Sequence, residues 1–593
     1  MGICTNCEKR NELCQRRDGP KRQSVRSCPG VPSSGSALPG DAPFVGTLAP
    51  SIVADRTETP SEECEDDNSG CPSEEMQSLN RGYLGKHSIM SIHGPLSASA
   101  SASAGSLSTL LERQCFVASQ ADQLPAPSMI EASAARYFKY LYHRIPVLDH
   151  QDVECANPSI LLLRALCFVG SFLRHPKSAD SIQQTELEYV KAKILFFLNH
   201  ERDPLTMLKV LCTFTLWNVR PASVVTIDCS WSWLGLAVSL AVQMGLHQES
   251  TYLERSIPGS ARRIAWFLYS QDKMLSSCFG RPQILRTEEF DLRPLTVTDF
   301  ALSEGRQAGK FIIYTRLAQI IAKMLDLQQR QDLTTNEEVS SALADFRAWA
   351  LEMPSDLRIY NEQGGKVYRR EIYEYLASYL THIITFFHHF GKHFRPSVVS
   401  RISLVASSCM IGLYQDMDCR DHINYLTAIN NWYLMTAAIP QLNNIARENR
   451  GEGFQTEPRR NKPSSLQDLD ILLDILKQRT VKFPGAKSIV NRLEQLKHDV
   501  LSQCVDSNLA AVPAERHCSE LALLPQGVIT NVHDLFPFPK SLSPRLQLLD
   551  AIEAESATNV FFDGYPDWSL DNLFSLDDIN PMALVDINLV DFA

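Results

Sequence analysis

The sequence contains almost no strand-like alternation of apolar and polar residues, and it has no long uninterrupted apolar run. Its longest apolar stretch, residues 231–245, covers about 15 residues, whereas a helix that crosses a bilayer needs roughly 20. A charged-then-apolar signal peptide is also missing from the first residues. We therefore expect a helical, soluble, intracellular protein that contacts no membrane.

Recognisable catalytic motifs are missing as well. The sequence has no phosphate-binding P-loop, no nucleophile elbow and no convincing Ser-His-Asp arrangement. A large helical isoprenoid synthase would need an Asp-Asp-x-x-Asp metal box on a core helix. The only Asp-Asp pairs are Asp66-Asp67 and Asp577-Asp578, and both fall in segments that we predict to be disordered. We therefore predict that the protein is not an enzyme.

Positive charge is absent from the C-terminal end of the chain. Residues 551–593 contain nine Asp and Glu but no Lys or Arg, so they carry −9 of the formal net charge of −11. The first 26 residues contain seven Lys and Arg against three acidic residues. A basic head, a near-neutral body and an acidic tail predict a different kind of partner for each part.

The sixteen cysteines show no sign of a disulfide framework. Most of them stand singly within apolar runs, as Cys167, Cys212 and Cys278 do. Buried free thiols are distributed in this way, and they predict a reducing compartment.

Composition divides the chain into segments. Residues 31–125 are rich in Pro, Gly, Ser and acids, and they cannot bury enough apolar area to offset roughly 1–2 kcal/mol of backbone entropy per residue. We predict a disordered linker there and a second linker over residues 505–558. Between them, residues 126–504 repeat apolar residues at helical spacing in about a dozen segments. This region predicts one large all-α domain, followed by an acidic-hydrophobic tail over residues 559–593.

Two details of the helical domain follow from its residues. The segment that begins at Ser128 is predicted to start on a serine cap. Residues 231–244 are apolar nearly all round, which predicts a central, buried helix that ends at Gly245.

Asp272 lies on the apolar face of a predicted helix, together with Ile264 and Leu268. An isolated buried carboxylate is costly, so a cationic or amide partner is expected. The candidate partners are Arg262, Arg263 and Arg281. Asp272 is then either a residue of an effector site or half of a structural ion pair that joins the helix to the turn around Gly280 and Pro282.

His389 and His393 stand four residues apart on a predicted helix, which is a spacing that can hold a metal ion. The surrounding residues are aromatic and no HExxH glutamate is present. We favour core or surface histidines over a metal site.

The N-terminal residues CTNCEKRNELC place Cys4, Cys7 and Cys14 in C-x2-C-x6-C spacing. Zinc needs about four thiolate or imidazole ligands, so three cysteines leave a site incomplete. The segment, assigned to residues 1–30, resembles the second half of the fungal Zn(2)-Cys(6) binuclear cluster, in which six thiolates hold two zinc ions. The resemblance implies metal ligation by the three cysteines, with Cys4 as a bridging ligand. Zn²⁺ is therefore the expected cofactor only where the cluster is completed.

The first half of that cluster, which carries the family's recognition helix for the major groove, is missing from this chain. Three explanations stay open: a start inside the motif with the first half encoded upstream, a lone zinc site completed by Cys28, or a vestigial basic tail with free thiols. The remaining basic residues could contact DNA phosphates, which position a protein but carry no sequence information. They are Lys9, Arg10, Arg16, Arg17, Lys21 and Arg22.

Two stretches of the helical body resemble the fungal-specific transcription factor domain, the middle homology region. One is AARYFKYLYHRIPVLDH at residues 134–150. The other is SWLGLAVSLAVQMGLHQES, followed by SARRIAWFLYSQDKMLSSCFGRPQIL at residues 260–285. The resemblance covers about residues 130–300 and is nearest to xylanolytic-activator-type regulators. It implies a structural motif made of Arg262, Arg263, Trp266, Asp272, Gly280, Arg281 and Pro282.

The C-terminal tail interleaves bulky apolar residues with aspartates, as acidic activation segments do. It would offer the apolar side chains to a coactivator groove, or it would dock back on the helical body as a last amphipathic helix. The activation residues that we predict are Trp568, Leu570, Leu573 and Phe574.

Taken with the resemblance, these features predict a nuclear regulator of RNA polymerase II genes that binds double-stranded promoter DNA and coactivators, and that activates transcription. A small-molecule effector and a homodimer are further expected partners. Two alternatives stay open: a regulator without its own DNA contact, which acts through a partner or a small-molecule signal, and a helical enzyme or ligand-binding protein.

Overall fold

The structure is a computed structural model that describes residue 83 and residues 106–175, 179–217, 224–254, 257–301, 304–330, 333–449, 465–506 and 531–552. The described residues contain sixteen α-helices and no strands, apart from two isolated bridges, and this confirms the all-α prediction. The helices are α1 Ser106–Ser119, α2 Pro127–Tyr140, α3 Gln151–Glu154, α4 Ile160–Phe172, α5 Ala179–Phe197, α6 Pro204–Phe214, α7 Ser230–Gln243, α8 Glu249–Glu254, α9 Gly259–Phe279, α10 Gly305–Gln329, α11 Asn336–Leu351, α12 Arg370–His389, α13 Pro396–Asp418, α14 Ile429–Asn449, α15 Ser465–Arg479 and α16 Ala486–Asp506.

Local chemistry sets several helix ends. Helix α6 begins after Asp203, whose carboxylate accepts a hydrogen bond from the amide of Thr206 at 2.8 Å. Helix α11 begins at a capping box formed by Thr335 and Glu338. The predicted serine cap of α2 is wrong: the helix begins at Pro127, because proline already has the φ angle of a first helical residue and needs no amide partner there.

Three helices form the interior of the body. Helix α9 is buried from Ser260 to Ser276, and α12 is buried from Ile372 to Phe387. Helix α14 is buried from Asn430 to Leu442. Helix α9 packs on α10 and α7, while α12 packs on α13, α14 and α10, so the buried apolar side chains make one continuous core.

Helix α7 is not the central helix that its composition predicts. Its buried residues recur at helical spacing along one face, from Trp233 to Ala241, whereas Leu236 on the other face is 41% exposed. The outward face carries small residues such as Gly235 and Ser239, which need no burial. Gly245 follows the helix with φ +76°, the left-handed conformation that the sequence predicts for it.

Helix α13 is long and apolar enough to cross a membrane by length and composition alone. Two thirds of its most apolar window is buried inside the protein, against α12, α14 and α15. This burial is the arrangement of a core helix, and core helices pass the same test of length and composition.

Two predicted linkers contain ordered segments. Helix α1 lies within residues 31–125, and residues 531–552, which we call the strap, lie within residues 505–558. The strap packs on α11 and α13, where Leu549 and Ile552 are fully buried. The linker prediction is therefore wrong for these two segments. The strap escaped prediction because its prolines interrupt any helical or strand periodicity while its apolar side chains still find a groove.

Candidate functional site

The residues of the predicted structural motif lie along α9 and in the turn that follows it. We use the name α9 junction for Arg262 and Arg263 near the start of this helix, for Asp272 and Lys273 toward its end, and for the groups that these four residues contact. The backbone approaches closely here, since a Cβ at Gly259 would lie 3.0 Å from the carbonyl oxygen of Asp299. The turn at Val297–Asp299 therefore lies directly on the first turn of α9.

Arg262 faces the short helix α8. Its guanidinium forms a bidentate pair with Glu249, with one hydrogen bond of 2.9 Å, and it lies over the ring of Tyr252 at 4.1 Å. The hydrogen bond from Arg262 is the main cause that lowers the pKa of Glu249. The same guanidinium lies 3.7 Å from Asp299. Burial acts to raise the pKa of Asp299, but hydrogen bonds from Arg293 and Thr296 outweigh it and leave that pKa lowered.

Arg263 connects three parts of the chain that are distant in sequence. Its guanidinium donates to the carbonyl oxygen of Pro146 at 2.8 Å and to that of Asp299 at 2.6 Å. A third hydrogen bond, of 2.5 Å, goes to the carboxylate of Asp149. The side chain is buried, so this one residue holds the turn after α2 against α9 and against the 297–299 turn.

Asp272 has a different partner from those that the sequence suggests. Its carboxylate pairs with Lys273 at 3.1 Å, and it accepts backbone amide hydrogen bonds from Ile284 at 2.9 Å and Leu285 at 3.1 Å. The expected cationic and amide partners are therefore present, but the cation is Lys273 and not one of the three candidate arginines. The carboxylate holds the segment after the Gly-Arg-Pro turn directly, because two backbone amides of that segment donate hydrogen bonds to it and stabilise its negative charge.

Lys273 is buried beside that carboxylate and also donates to the carbonyl oxygen of Leu285. Burial lowers its pKa, while Asp272 acts in the opposite direction. The ammonium lies 4.6 Å from the centre of the Tyr269 ring. The pair thus has both polar and aromatic support at the end of α9.

The other motif residues surround the two ends of α9. Trp266 donates its indole N–H to the carbonyl oxygen of Arg293 at 3.0 Å. Gly280 ends the helix with φ +60°, a conformation that glycine adopts without strain. Arg281 lies over the ring of Phe279 at 4.9 Å, and the carbonyl oxygen of Pro282 lies 3.5 Å from the hydroxyl of Ser276.

A second polar cluster, which the sequence reasoning missed, lies at the centre of the body. Arg144 is 2% exposed, and its guanidinium reaches the hydroxyl groups of Tyr314 at 3.4 Å and Tyr433 at 3.5 Å. One carboxylate oxygen of Glu374 lies 4.0 Å from the Arg144 guanidinium, and the other lies 3.6 Å from the ring of the neighbouring His143. Burial lowers the pKa of His143, which favours its neutral form. The only available sequence signal was a His-Arg pair inside an otherwise apolar and aromatic segment.

The contacts at the α9 junction hold neighbouring segments of the chain together. Arg262, Arg263, Asp272 and Lys273 each contact an opposite charge or a backbone group. Among the described residues, no group of three or more His, Cys, Asp or Glu could hold a metal ion. The ring of His393 contacts the side chain of Asn336 at 2.6 Å.

The remaining predicted site residues lie outside the described residues. These are the metal ligands Cys4, Cys7 and Cys14, the phosphate contacts Lys9, Arg10, Arg16 and Arg17, and the activation residues Trp568, Leu570, Leu573 and Phe574. Their roles stay predictions.

Comparison with known proteins bears on the part of the chain that holds the α9 junction. Residues 134–357 match the fungal specific transcription factor domain. The acetamidase regulatory protein of Aspergillus fumigatus is 27% identical over 254 residues, which is 40% of this chain and 32% of that protein. Cutinase transcription factor 1 beta of Fusarium vanettenii is 24% identical over 196 residues, or 30% of this chain and 22% of that protein.

An uncharacterized transcriptional regulatory protein of Schizosaccharomyces pombe is 29% identical over 165 residues, which is 26% of this chain and 21% of that protein. The chain spans about a third of the length of the acetamidase regulatory proteins that it matches. No solved structure matches. Residues 134–357 of the helical body are thus similar to the fungal specific transcription factor domain, and the relatives that match this chain are named as transcription regulators.

Proposed function

We propose that this protein is a nuclear, zinc-dependent, DNA-binding regulator of genes transcribed by RNA polymerase II, and that its acidic C-terminal segment makes it an activator. The domain match over residues 134–357 is the observation that supports the proposal most directly. The buried and fully paired α9 junction is consistent with a regulatory scaffold rather than with a catalytic centre.

In this proposal the parts have separate tasks. The N-terminal basic segment, with Cys4, Cys7 and Cys14, contributes to DNA contact, and Zn²⁺ binds there only where a cluster is completed. The helical body regulates the C-terminal acidic segment, whose apolar side chains bind a coactivator. A homodimer would give the symmetric arrangement that paired DNA sites need.

DNA binding is tested with the full chain and a pool of mixed-sequence duplexes, by repeated selection and by titration with salt. A DNA reader should enrich a short motif, and its affinity should fall steeply with salt as counterions are released. Lys9→Gln and Arg10→Gln should each reduce the salt slope by about one. Failure to retain any duplex at low salt would overturn autonomous DNA binding.

That failure would favour a second candidate function, a regulator that reaches DNA through a partner. This candidate applies where no further ligands join Cys4, Cys7 and Cys14 to complete a zinc cluster. Three thiolates alone cannot hold two zinc ions. Zinc content of the purified full chain, measured by mass spectrometry of the metal, separates the two candidates.

Activation is tested by fusing residues 555–593 to a neutral DNA-binding domain upstream of a reporter gene. The fusion should activate the reporter, and the triple substitution Trp568→Ala, Leu573→Ala, Phe574→Ala should abolish activation because it removes the coactivator contacts. The matched control, Ser569→Ala, Asn572→Ala, Ser575→Ala, changes polar neighbours and should retain activity. An inactive intact fusion would remove the activator part of the proposal.

A further inference from the structure

The strap forms one wall of a cavity of about 190 Å³. The other walls come from α11, the end of α12 and the start of α13. The apolar lining includes Leu343, Phe387, Phe394 and Val398 from the body, and Val532 and Leu535 from the strap. A ligand in this cavity would therefore touch the body and the strap at once.

Among the described residues that line the cavity, Arg347 is the only one with a charged side chain. Its guanidinium Nε lies 3.9 Å from a carboxylate oxygen of Asp534 on the strap, beyond hydrogen-bond reach. The Arg347 side chain is 39% exposed, so it can turn toward a bound anion without losing a hydrogen bond to Asp534. Ser340 and Asn531 add a hydroxyl and an amide to the lining.

Size and charge together define the occupant. A cavity of about 150 Å³ holds benzene, so a cavity of 190 Å³ has room for a six-carbon body and a small polar group. Apolar walls with a single cationic side chain suit a compact apolar body that ends in a carboxylate. We propose that this cavity binds a small monocarboxylate with an apolar body of about six carbons, and that the bound ligand holds the strap in its docked position.

The coupling follows from linkage. A ligand that binds only when the strap completes the wall lowers the undocked fraction about 100-fold when its concentration is about 100 times its Kd. The strap ends at residue 552, and the predicted acidic segment begins at residue 559. Fixing the strap therefore fixes the point from which that segment extends.

This inference deepens the proposed function by naming a site for the small-molecule signal, and it rests on that proposal only for its role in transcription. The test reads ligand binding and strap protection in the purified protein. Loss of DNA binding or of activation would leave these readouts unchanged, so the two proposals fail separately.

The first experiment uses the full chain with hexanoate as the probe and hexan-1-ol as the neutral control of equal length. Isothermal titration should show saturable hexanoate binding that is at least about 10-fold tighter than that of hexan-1-ol, since a charge-assisted hydrogen bond is worth more than a neutral one. Arg347→Gln should remove this preference. Equal affinities for the two probes, or no saturable hexanoate binding, would overturn the proposal.

The second experiment measures hydrogen exchange of peptides that cover residues 531–552, with and without saturating hexanoate. Exchange should slow at least about 10-fold in the strap, for example at the amide of Phe536, which bonds to His533. Unchanged exchange in the presence of bound hexanoate would overturn the coupling to the strap.

A glycine pair supplies the matched variants. A Cβ at Gly412 in α13 would lie 2.2 Å from the carbonyl oxygen of Leu542 in the strap, whereas a Cβ at Gly235 in α7 would meet nothing within 4 Å. Gly412→Ala should displace the strap, speed its exchange and weaken hexanoate binding at least 10-fold. Gly235→Ala should leave both readouts unchanged. Hexanoate binding of full strength in Gly412→Ala, with the strap displaced, would show that the strap is not part of the site.

Discussion

The α9 junction and the strap each contain a buried ion pair that holds two segments of the chain together, but the two ion pairs differ in their hydrogen bonding. At the junction, the carboxylate of Asp272 accepts hydrogen bonds from two backbone amides and also contacts Lys273. At the strap, Arg545 lies 3.1 Å from Asp468, yet the facing carboxylate oxygen has no hydrogen bond of good geometry among the described residues. Burial accordingly raises the pKa of Asp468 to about 6, although Arg545 opposes the shift.

This difference shows how the same type of contact can serve two purposes. A buried charge whose oxygens all have donors fixes one arrangement of the chain, because every alternative leaves a donor or an acceptor unpaired. A buried charge with incomplete partners keeps part of its desolvation cost in the folded state. The strap is thus attached at a point whose strength depends on protonation, while the junction is not expected to come apart short of unfolding.

The largest effect is expected at the junction. Asp272→Ala removes the acceptor of two buried amides and leaves the Lys273 ammonium unpaired, so we expect a loss of about 3–5 kcal/mol in the free energy of unfolding. Urea unfolding of the full chain, followed by tryptophan fluorescence, measures it. The double substitution Asp272→Asn, Lys273→Met should recover part of the loss, since it removes both charges. A loss below about 1 kcal/mol for Asp272→Ala would contradict the contrast between junction and strap.

The fold was largely predictable from the sequence, and the exceptions have physical causes. Apolar residues at helical spacing identify the helices of the body, including the two after Ser465. Position in the fold is harder to predict, because an all-round apolar helix such as α7 can lie at the edge when its outward residues are small. Helix α9 carries many polar residues and is nevertheless buried over seventeen consecutive residues. Its charged side chains can be buried because they contact charged or backbone groups of the segments around the helix.

The candidate site was predictable in its residues but not in its pairing. The double arginine, Trp266 and Asp272 stand out in the sequence, yet nothing in the spacing shows that Arg263 reaches the carbonyl oxygens of Pro146 and Asp299. A pattern of side chains in the sequence gives no information about which backbone groups of distant turns a side chain will contact. The buried Arg144 cluster shows the same limit, since three separate helices supply the partners of Arg144.

An intermediate effect is expected from the pH dependence of the strap. The pKa of Asp468 is about 6 in the folded protein and about 4 in an exposed chain, so folding takes up a proton between these values. The contribution of Asp468 is therefore most favourable at low pH and declines as the pH rises through this window. The other charged groups that act on it are Arg545 and Glu448. Relative to Asp468→Asn, the natural protein should lose about 1 kcal/mol of stability between pH 5 and pH 7.

The informative quantity is the difference in stability between the natural protein and Asp468→Asn. This difference removes the contributions of carboxylates whose pKa values are lowered in both proteins, such as Glu249 and Asp299. Those groups lose their stabilising charge as the pH falls, and they act in the opposite direction to Asp468. Urea unfolding at both pH values, with strap exchange as a local readout, provides the measurement. A difference that does not change with pH would show that Asp468 is ionised normally and that the strap is held like the junction.

The smallest effect is expected where an ion pair is short but exposed. Arg316 lies 2.6 Å from Glu352, a shorter contact than the 3.1 Å between Lys273 and Asp272, but its side chain is 48% exposed and that of its partner is 58% exposed. Water screens such a pair, so Arg316→Ala should change the free energy of unfolding by no more than about 0.5 kcal/mol. Urea unfolding beside Asp272→Ala gives the direct comparison. An equal loss of unfolding free energy in Arg316→Ala and Asp272→Ala would show that distance, and not burial and hydrogen bonding, decides the strength of these contacts. The distinction between junction and strap would then have no basis.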